Sequence, residues 1–273
     1  VLQNNPKVFE NKEFCLRLDC GVGGGHHHKV NTEGKQAKFG IPIKQLKEVL
    51  ELSKKHNFKI VGLQSHKGSG IIDPTAWAKT ANVMLKYIKE LELPNLQYLD
   101  LGGGLGVWKD GVELDLTSMN YSLIDIKKEI QKYYPKIKFH LEPGRYMVAE
   151  AGIILAKVNH IKKKGKIKFI GLSVGMNGLM RPVLYNSYHP IHNLTNYDPN
   201  KKTEICDIVG PICETGDVFI RNHKIEKTNI GDLVLIDIAG AYGRTMSSNY
   251  NMIPIPEEYA IEIKDRRVNL LKK

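Results

Sequence analysis

A chain of 273 residues with 42% hydrophobic and 25% charged residues has the composition of an ordinary soluble globular protein, long enough for two domains or one large α/β unit. Its formal charge of +11 raises the question of nucleic acid. The lysines are spread along the whole chain, however, and the one dense run, KKKGKIKF at 162–169, reads as a solvated hairpin turn, so nucleic-acid binding is set aside and small anions are favoured instead.

No apolar run reaches the ~18 residues of a membrane helix. The opening stretch VLQNNPKVFENKEF lacks the pattern of a secretory signal, and a start at Val1 rather than Met reads as a processed or trimmed chain. FCLRLDC (14–20) alternates as a strand does, and PIKQLKEVLELSKKHN (42–57) sets Ile43, Leu46, Val49 and Leu50 on one helical face. FKIVGLQSH (58–66) predicts the next strand, and TAWAKTANVMLKYIKELEL (75–93) the next helix, entered through Asp73-Pro74. LQYLDLGGG (96–104), a helix near 118–134 and KIKFHLEPGR (136–145) complete four β/α units. Asp19, His66, Gly102, Gly103, Gly104, Glu142 and Arg145 collect at the ends of the strands, where barrel enzymes build their sites.

The second half changes character. GIILAKVNHIKKKGKIKFIGLSV (152–174) predicts two antiparallel strands around the basic turn. TEICDIVGPIC, GDVFIRNHKI, GDLVLIDIAGA and YAIEIKDRRVNLL continue as short strands between Gly and Asp turns. The expected fold class is α/β plus β: a partial (β/α)8 barrel of about four units over residues 1–151, then an all-β domain over 152–273. An eight-unit barrel needs about twice the first length, so two unpaired edges and an open apolar interior are expected. Cys15, Cys20, Cys206 and Cys213 form no CxxC pair and no metal-ligand spacing, which predicts free thiols in a reducing, cytoplasmic setting.

Six short stretches carry chemistry: SHKGSG (65–70), LGGGLG (101–106), EPGR (142–145), GMNGLMRPVLYNSYH (175–189), CETGD (213–217) and GAYG (240–243). LGGGLG lies between a predicted strand and helix, where backbone N–H groups approach a phosphate closely. Singly each stretch is weak. In this order, across β/α units followed by a β domain, they resemble the diaminopimelate decarboxylases, pyridoxal-phosphate enzymes of the alanine-racemase-like fold. The resemblance runs from about Phe14 to the C-terminus, and RPVLYNSYH, CETGD and GAYG are its most specific parts.

The resemblance implies a pyridoxal 5'-phosphate cofactor and meso-diaminopimelate as substrate, decarboxylated to L-lysine. It implies that His66 stacks on the cofactor ring and that Ser69, Gly104 and Tyr242 contact its phosphate, with Gly102, Gly103, Gly144 and Arg145 nearby. Glu142 is implied to face the pyridine nitrogen, where an anion favours the protonated ring. Arg145, Arg181, Tyr185 and Tyr242 are implied at the substrate, the arginines gripping its distal carboxylate, and Glu214 at the distal amine. Cys213 is implied as the proton donor. The family forms homodimers in which Cys213 and Glu214 would reach the neighbouring subunit's site, and no metal is implied.

The family's cofactor-bearing lysine lies in a YAxKAN-like motif that these residues lack. It is expected upstream of Val1 with further β/α units, on a missing barrel half or a chain fused to an aspartate kinase domain, leaving this chain alone inactive. Lys67 stands where the family usually carries an apolar residue; strand alternation turns it away from His66, as a surface or helix-facing lysine. GVGGGHHHKVNTEGKQAK (21–38) is read as a mobile loop at the rim of the substrate mouth; three adjacent histidines do not face one zinc ion. Two alternatives stay open: a decarboxylase of ornithine or arginine, which would want an acidic pocket at Arg181, and a non-catalytic relative that binds a partner protein.

Overall fold

The structure, a computed structural model, describes residues 5–107, 112–198, 200, 202–264 and 267–272. It divides into two compact units, Val1–Met147 and Val148–Lys273.

The first unit runs α1 (Pro6–Phe9), β1 (Glu13–Asp19), β2 (Ile41–Pro42), α2 (Leu46–Lys55), β3 (Lys59–Gln64), α3 (Ala76–Glu90), β4 (Tyr98–Asp100), α4 (Leu116–Gln131), β5 (Lys138–His140) and α5 (Gly144–Val148). The strands form one sheet in the order β2-β1-β3-β4-β5, every pair parallel. β2 is two residues long and pairs beside Leu18 and Asp19; so short an element leaves no periodicity to read in the sequence.

Leu16, Leu18, Leu63 and Leu99 point to the helical side, where Trp77, Met84 and Leu46 complete a core. Each such side chain contributes about 1.5–3 kcal/mol when fully buried. α3 earns its place by spacing: Trp77, Ala81, Met84, Leu85 and Ile88 are all buried on one stripe. α4 starts at Asp115, whose carboxylate accepts the N–H groups of Thr117 and Ser118 at 2.9 and 3.0 Å.

The opposite face corrects the expectation of an apolar interior. By strand alternation it carries Cys15, Arg17, Gln64, Tyr98, Asp100 and His140. The Tyr98 and His140 rings stack with centroids 4.8 Å apart, and burial pushes the Tyr98 phenol up to about 12. This face is built for polar contacts.

The second unit runs β6 (Ile154–Lys164), β7 (Ile167–Leu172), α6 (Arg181–Tyr185), β8 (Ile191–Asn193), β9 (Thr203–Val209), β10 (Val218–Glu226), β11 (Leu233–Ile236), β12 (Tyr259–Lys264) and β13 (Arg267–Lys272). Six strands form a sheet in the order β10-β9-β7-β6-β11-β8 around Val158, Ile170, Ile208, Val234 and Ile236. β6 and β7 are the hairpin read at the basic run, turned at Gly165 with φ of 60°. Two features escape sequence reading. β7 and β9 pair in parallel, and RPVLY, expected among strands, is a short helix. β12 and β13 pair separately; residues 265 and 266 lie outside the described residues. Among the described residues no helix is long and apolar enough to cross a membrane.

Candidate active site

In the first unit, the predicted residues converge beyond the ends of β3, β4 and β5. Gly103 N–H donates to His66 Nδ1 at 3.0 Å, so Nδ1 is an acceptor and the ring proton of the neutral imidazole sits on Nε2. Burial, and then the charge of Arg17, hold the His66 pKa below its ordinary value against the pull of Glu142. Glu142 Oε2 lies 3.8 Å from Nδ1 and accepts a hydrogen bond from Gln64 Nε2 at 3.2 Å. Arg145 Nε donates to Ser69 Oγ at 3.3 Å. A neutral imidazole, a carboxylate, a hydroxyl and a guanidinium are thereby gathered at one edge of the sheet.

The glycine loop holds that edge in place. Gly102 N–H donates to Asp100 Oδ1 at 2.8 Å, and the Gly103 carbonyl accepts from Trp77 Nε1 at 3.1 Å. The amides of Gly102 and Gly103 are thus engaged within the chain, and both residues serve to fix His66. A Cβ on Gly103 would stand 2.1 Å from the Glu142 carbonyl oxygen, so only glycine permits this approach. Gly144 differs: a Cβ there would meet nothing within 4 Å, and its φ is not in the left-handed range.

Arg17, Gln64 and Asp100 were missed from sequence. Their signal was available: each sits one position from a helix-facing leucine, Leu16 or Leu18, Leu63, and Leu99 or Leu101, and so falls on the site's side of the sheet.

The 21–38 stretch is not the mobile rim expected of it. Gly24 N–H and Thr32 N–H both donate to the Lys67 carbonyl, at 2.9 and 3.2 Å. The His26 N–H and its Nδ1–H reach the Ser69 carbonyl at 3.1 and 2.9 Å, and the Thr32 hydroxyl donates to the His66 carbonyl. The backbone therefore lies strapped along residues 66–69. The His27 and His28 rings face each other at 4.2 Å, and among the described residues no group of three His, Cys, Asp or Glu is arranged to hold a metal ion. Lys67 is not on the surface: it is 4% exposed, and its Nζ donates to the Ala76 carbonyl at the start of α3, 2.5 Å away.

In the second unit, Arg181 is buried on α6. Its Nη2 donates to Ser187 Oγ at 2.9 Å and its Nη1 to His189 Nε2 at 3.4 Å, which explains why RPVLYNSYH behaves as one motif. Tyr185 closes the same helix, followed by Asn186 in the left-handed region. Cys213 is exposed on the loop from β9 to β10. Glu214, beside it, accepts a hydrogen bond from the Tyr250 hydroxyl at 2.5 Å. Val183 of α6 lies 3.9 Å from where a Gly216 Cβ would be, so the helix and the CETGD loop adjoin.

Asp217, the last residue of CETGD, is the loop's anchor. Its carboxylate is buried and accepts the N–H groups of Met176 and Ile212 at 2.7 and 2.8 Å; burial raises its pKa. Tyr242 stands on a separate loop after β11, about half exposed, with φ of 66°. That backbone conformation is strained for an aromatic residue and is characteristic of functional positions.

A parallel sheet with its polar groups at the strand ends, continued in sequence by a mixed, mostly antiparallel sheet unit, defines the β/α class with an appended β domain. Residues 71–240 match the family described as pyridoxal-dependent decarboxylase, C-terminal sheet domain, and the chain belongs to that family. Diaminopimelate decarboxylases are among its relatives. It is 34% identical to that of Buchnera aphidicola subsp. Schizaphis graminum over 96% of this chain and 65% of the relative, and 35% identical to that of Aquifex aeolicus over 98% of this chain and 63% of the relative. The chain therefore spans somewhat less than two thirds of these relatives. Among solved structures, a diaminopimelate decarboxylase superposes with a TM-score of 0.84 at 31% identity, covering 100% of this chain and 67% of that one. The Helicobacter pylori enzyme complexed with L-lysine superposes with a TM-score of 0.80 at 29% identity, covering 98% and 65%.

Proposed function

We propose that this chain is part of a diaminopimelate decarboxylase that uses pyridoxal phosphate to convert meso-diaminopimelate to L-lysine, and that its first unit is a portion of a (β/α)8 barrel. The observation that carries the reading is the fixed, neutral His66 beside Glu142, within the strand-end group that includes Ser69 and Arg145. The donor set fits the group: a carboxylate stands 3.8 Å from the His66 ring, and a hydroxyl is bonded to a guanidinium at Ser69 and Arg145, the types that suit a protonated ring nitrogen and a phosphate.

Bound pyridoxal phosphate supplies an electron sink for the carbanion left by loss of CO2. His66 presents a neutral ring face, which does not repel a protonated pyridine. The Glu142 carboxylate favours that protonation by the opposite-charge rule, and Gln64 orients it. Ser69, Gly104, Gly144 and Tyr242 are assigned to the phosphate, with Gly102 and Gly103 as supports. Arg145, Arg181, Tyr185 and Tyr242 are assigned to the substrate, Arg181 pre-aligned by Ser187 and His189, and Glu214 to the distal amine. Cys213, solvent-exposed, is assigned as the proton donor, on a loop anchored by Asp217. The lysine that holds the cofactor is assigned to the part of the relatives that this chain does not span, because Lys67 Nζ is committed to Ala76. A homodimer and a reducing, cytoplasmic setting complete the reading; the four free cysteines support the latter.

The test is release of CO2 and L-lysine from meso-diaminopimelate by the full-length protein supplied with pyridoxal phosphate. Preference for ornithine or arginine, or no turnover with intact cofactor binding, would overturn the assignment.

A further inference from the structure

We infer that Glu33 is a positioning residue: its buried carboxylate clasps the 21–34 loop shut on the strand end that presents His66 and Ser69. The functional weight of the clasp rests on the reading of His66 and Ser69 as cofactor contacts; the clasp itself rests on geometry alone.

Glu33 and Lys67 are each 4% exposed, and acids and lysines are almost never so buried unless paired. Glu33 Oε2 accepts the Val22 N–H at 3.0 Å, and Oε1 accepts the hydroxyl of Ser65, itself fully buried. Val22 and Glu33 are the two ends of the loop, and Ser65 adjoins His66, so one carboxylate ties the neck and fastens it to the strand. Asp19 repeats the device one residue outward, accepting Gly21 N–H at 2.9 Å and Gly34 N–H at 3.0 Å.

Burial raises the Glu33 pKa, opposed first by the Ser65 hydroxyl and the Val22 N–H, the two groups the carboxylate ties together. Removing the carboxylate leaves that hydroxyl and that amide without their acceptor. Lys67, equally buried, bonds to the Ala76 carbonyl. Between the ends, the loop reaches the strand through backbone bonds, Gly24 and Thr32 on Lys67 and His26 on Ser69, and through the Thr32 hydroxyl on the His66 carbonyl and His26 Nδ1 on the Ser69 carbonyl. Those bonds do not touch Glu33, so their response distinguishes a clasp from a local contact.

The experiment compares Glu33→Ala and Glu33→Gln in the full-length protein. In Glu33→Ala, amide exchange at Val22, Gly24, His26 and Thr32 is expected to accelerate together, roughly ten- to a hundredfold, the loss of a charged hydrogen bond. The His66 ring nitrogen shifts are expected to leave the Nε2–H pattern. Glu33→Gln, which keeps an acceptor for Val22, should show the same changes at smaller amplitude and serves if the alanine variant does not fold. Faster exchange confined to Val22, or unchanged His66 shifts, overturns the inference. Exchange and ring shifts need no cofactor. Should they move as expected while affinity for pyridoxal phosphate stays the same, the clasp stands and the assignment of His66 and Ser69 fails.

Discussion

Gly103→Ala tests whether the glycine loop sets the site. Gly103 does not lie in the left-handed region, so the penalty of alanine there is steric. The added Cβ would sit 2.1 Å from the Glu142 carbonyl oxygen and 3.1 Å from its carbon, and both are backbone atoms with no rotamer to yield. Either the loop or the EPGR segment must move by about 1 Å to restore van der Waals contact. Moving the loop stretches two bonds at once: Gly103 N–H to His66 at 3.0 Å and Trp77 to the Gly103 carbonyl at 3.1 Å. Overpacking costs typically about 1–3 kcal/mol, and each hydrogen bond about 1 kcal/mol more, giving roughly 3–5 kcal/mol. Urea unfolding of the full-length protein measures this, with the His66 ring shifts as a local readout. A loss under about 1 kcal/mol with unchanged His66 shifts would refute the account of how this loop holds the imidazole.

Gly144→Ala should have the opposite signature: unhindered at the start of α5, it is expected to raise stability by up to about 1 kcal/mol while weakening pyridoxal phosphate binding. Unchanged affinity in a cofactor titration removes Gly144 from the phosphate site. Arg181→Lys should lower kcat/KM for meso-diaminopimelate roughly ten- to a hundredfold, with cofactor affinity preserved, since an ammonium lacks the planar fork that reaches both the substrate and Ser187. Steady-state kinetics decide it, and an unchanged kcat/KM excludes Arg181 from substrate binding. Asp73 is held down to about 2 by Lys79 and Thr75. Its folded pKa is depressed, so its contribution is present above the ordinary carboxylate range and is lost as pH falls through about 2. Because the side chain is 49% exposed, solvent screening leaves roughly 1 kcal/mol. The stability gap between the native protein and Asp73→Asn should therefore be full near neutrality and shrink below about pH 4; a gap independent of pH counts against the pairing.

What this sequence determines by itself is local. Apolar periodicity at β1, β3, α3 and α4 is read within a few residues of the elements observed, because each element's buried stripe is spaced along its own length. The glycine motif at 102–104 marks a strand end for a similar reason: a backbone approach that excludes Cβ leaves its trace in one residue type. What only the tertiary structure decides are relations between distant positions. Lys67 is buried against the Ala76 carbonyl, nine positions on and across a loop, and Glu33 closes its loop on Ser65, 32 positions away. The polar face of the sheet requires knowing which side the helices cover, and the 21–38 loop seemed free to move only because its partners, Ser65 to Ser69, lie across a whole helix and strand. Asp217 looked like the tail of a motif until its carboxylate met the amides of Met176 and Ile212. Hydrogen bonds to backbone amides carry no residue signature at the donor, and that is why the sequence is silent about them.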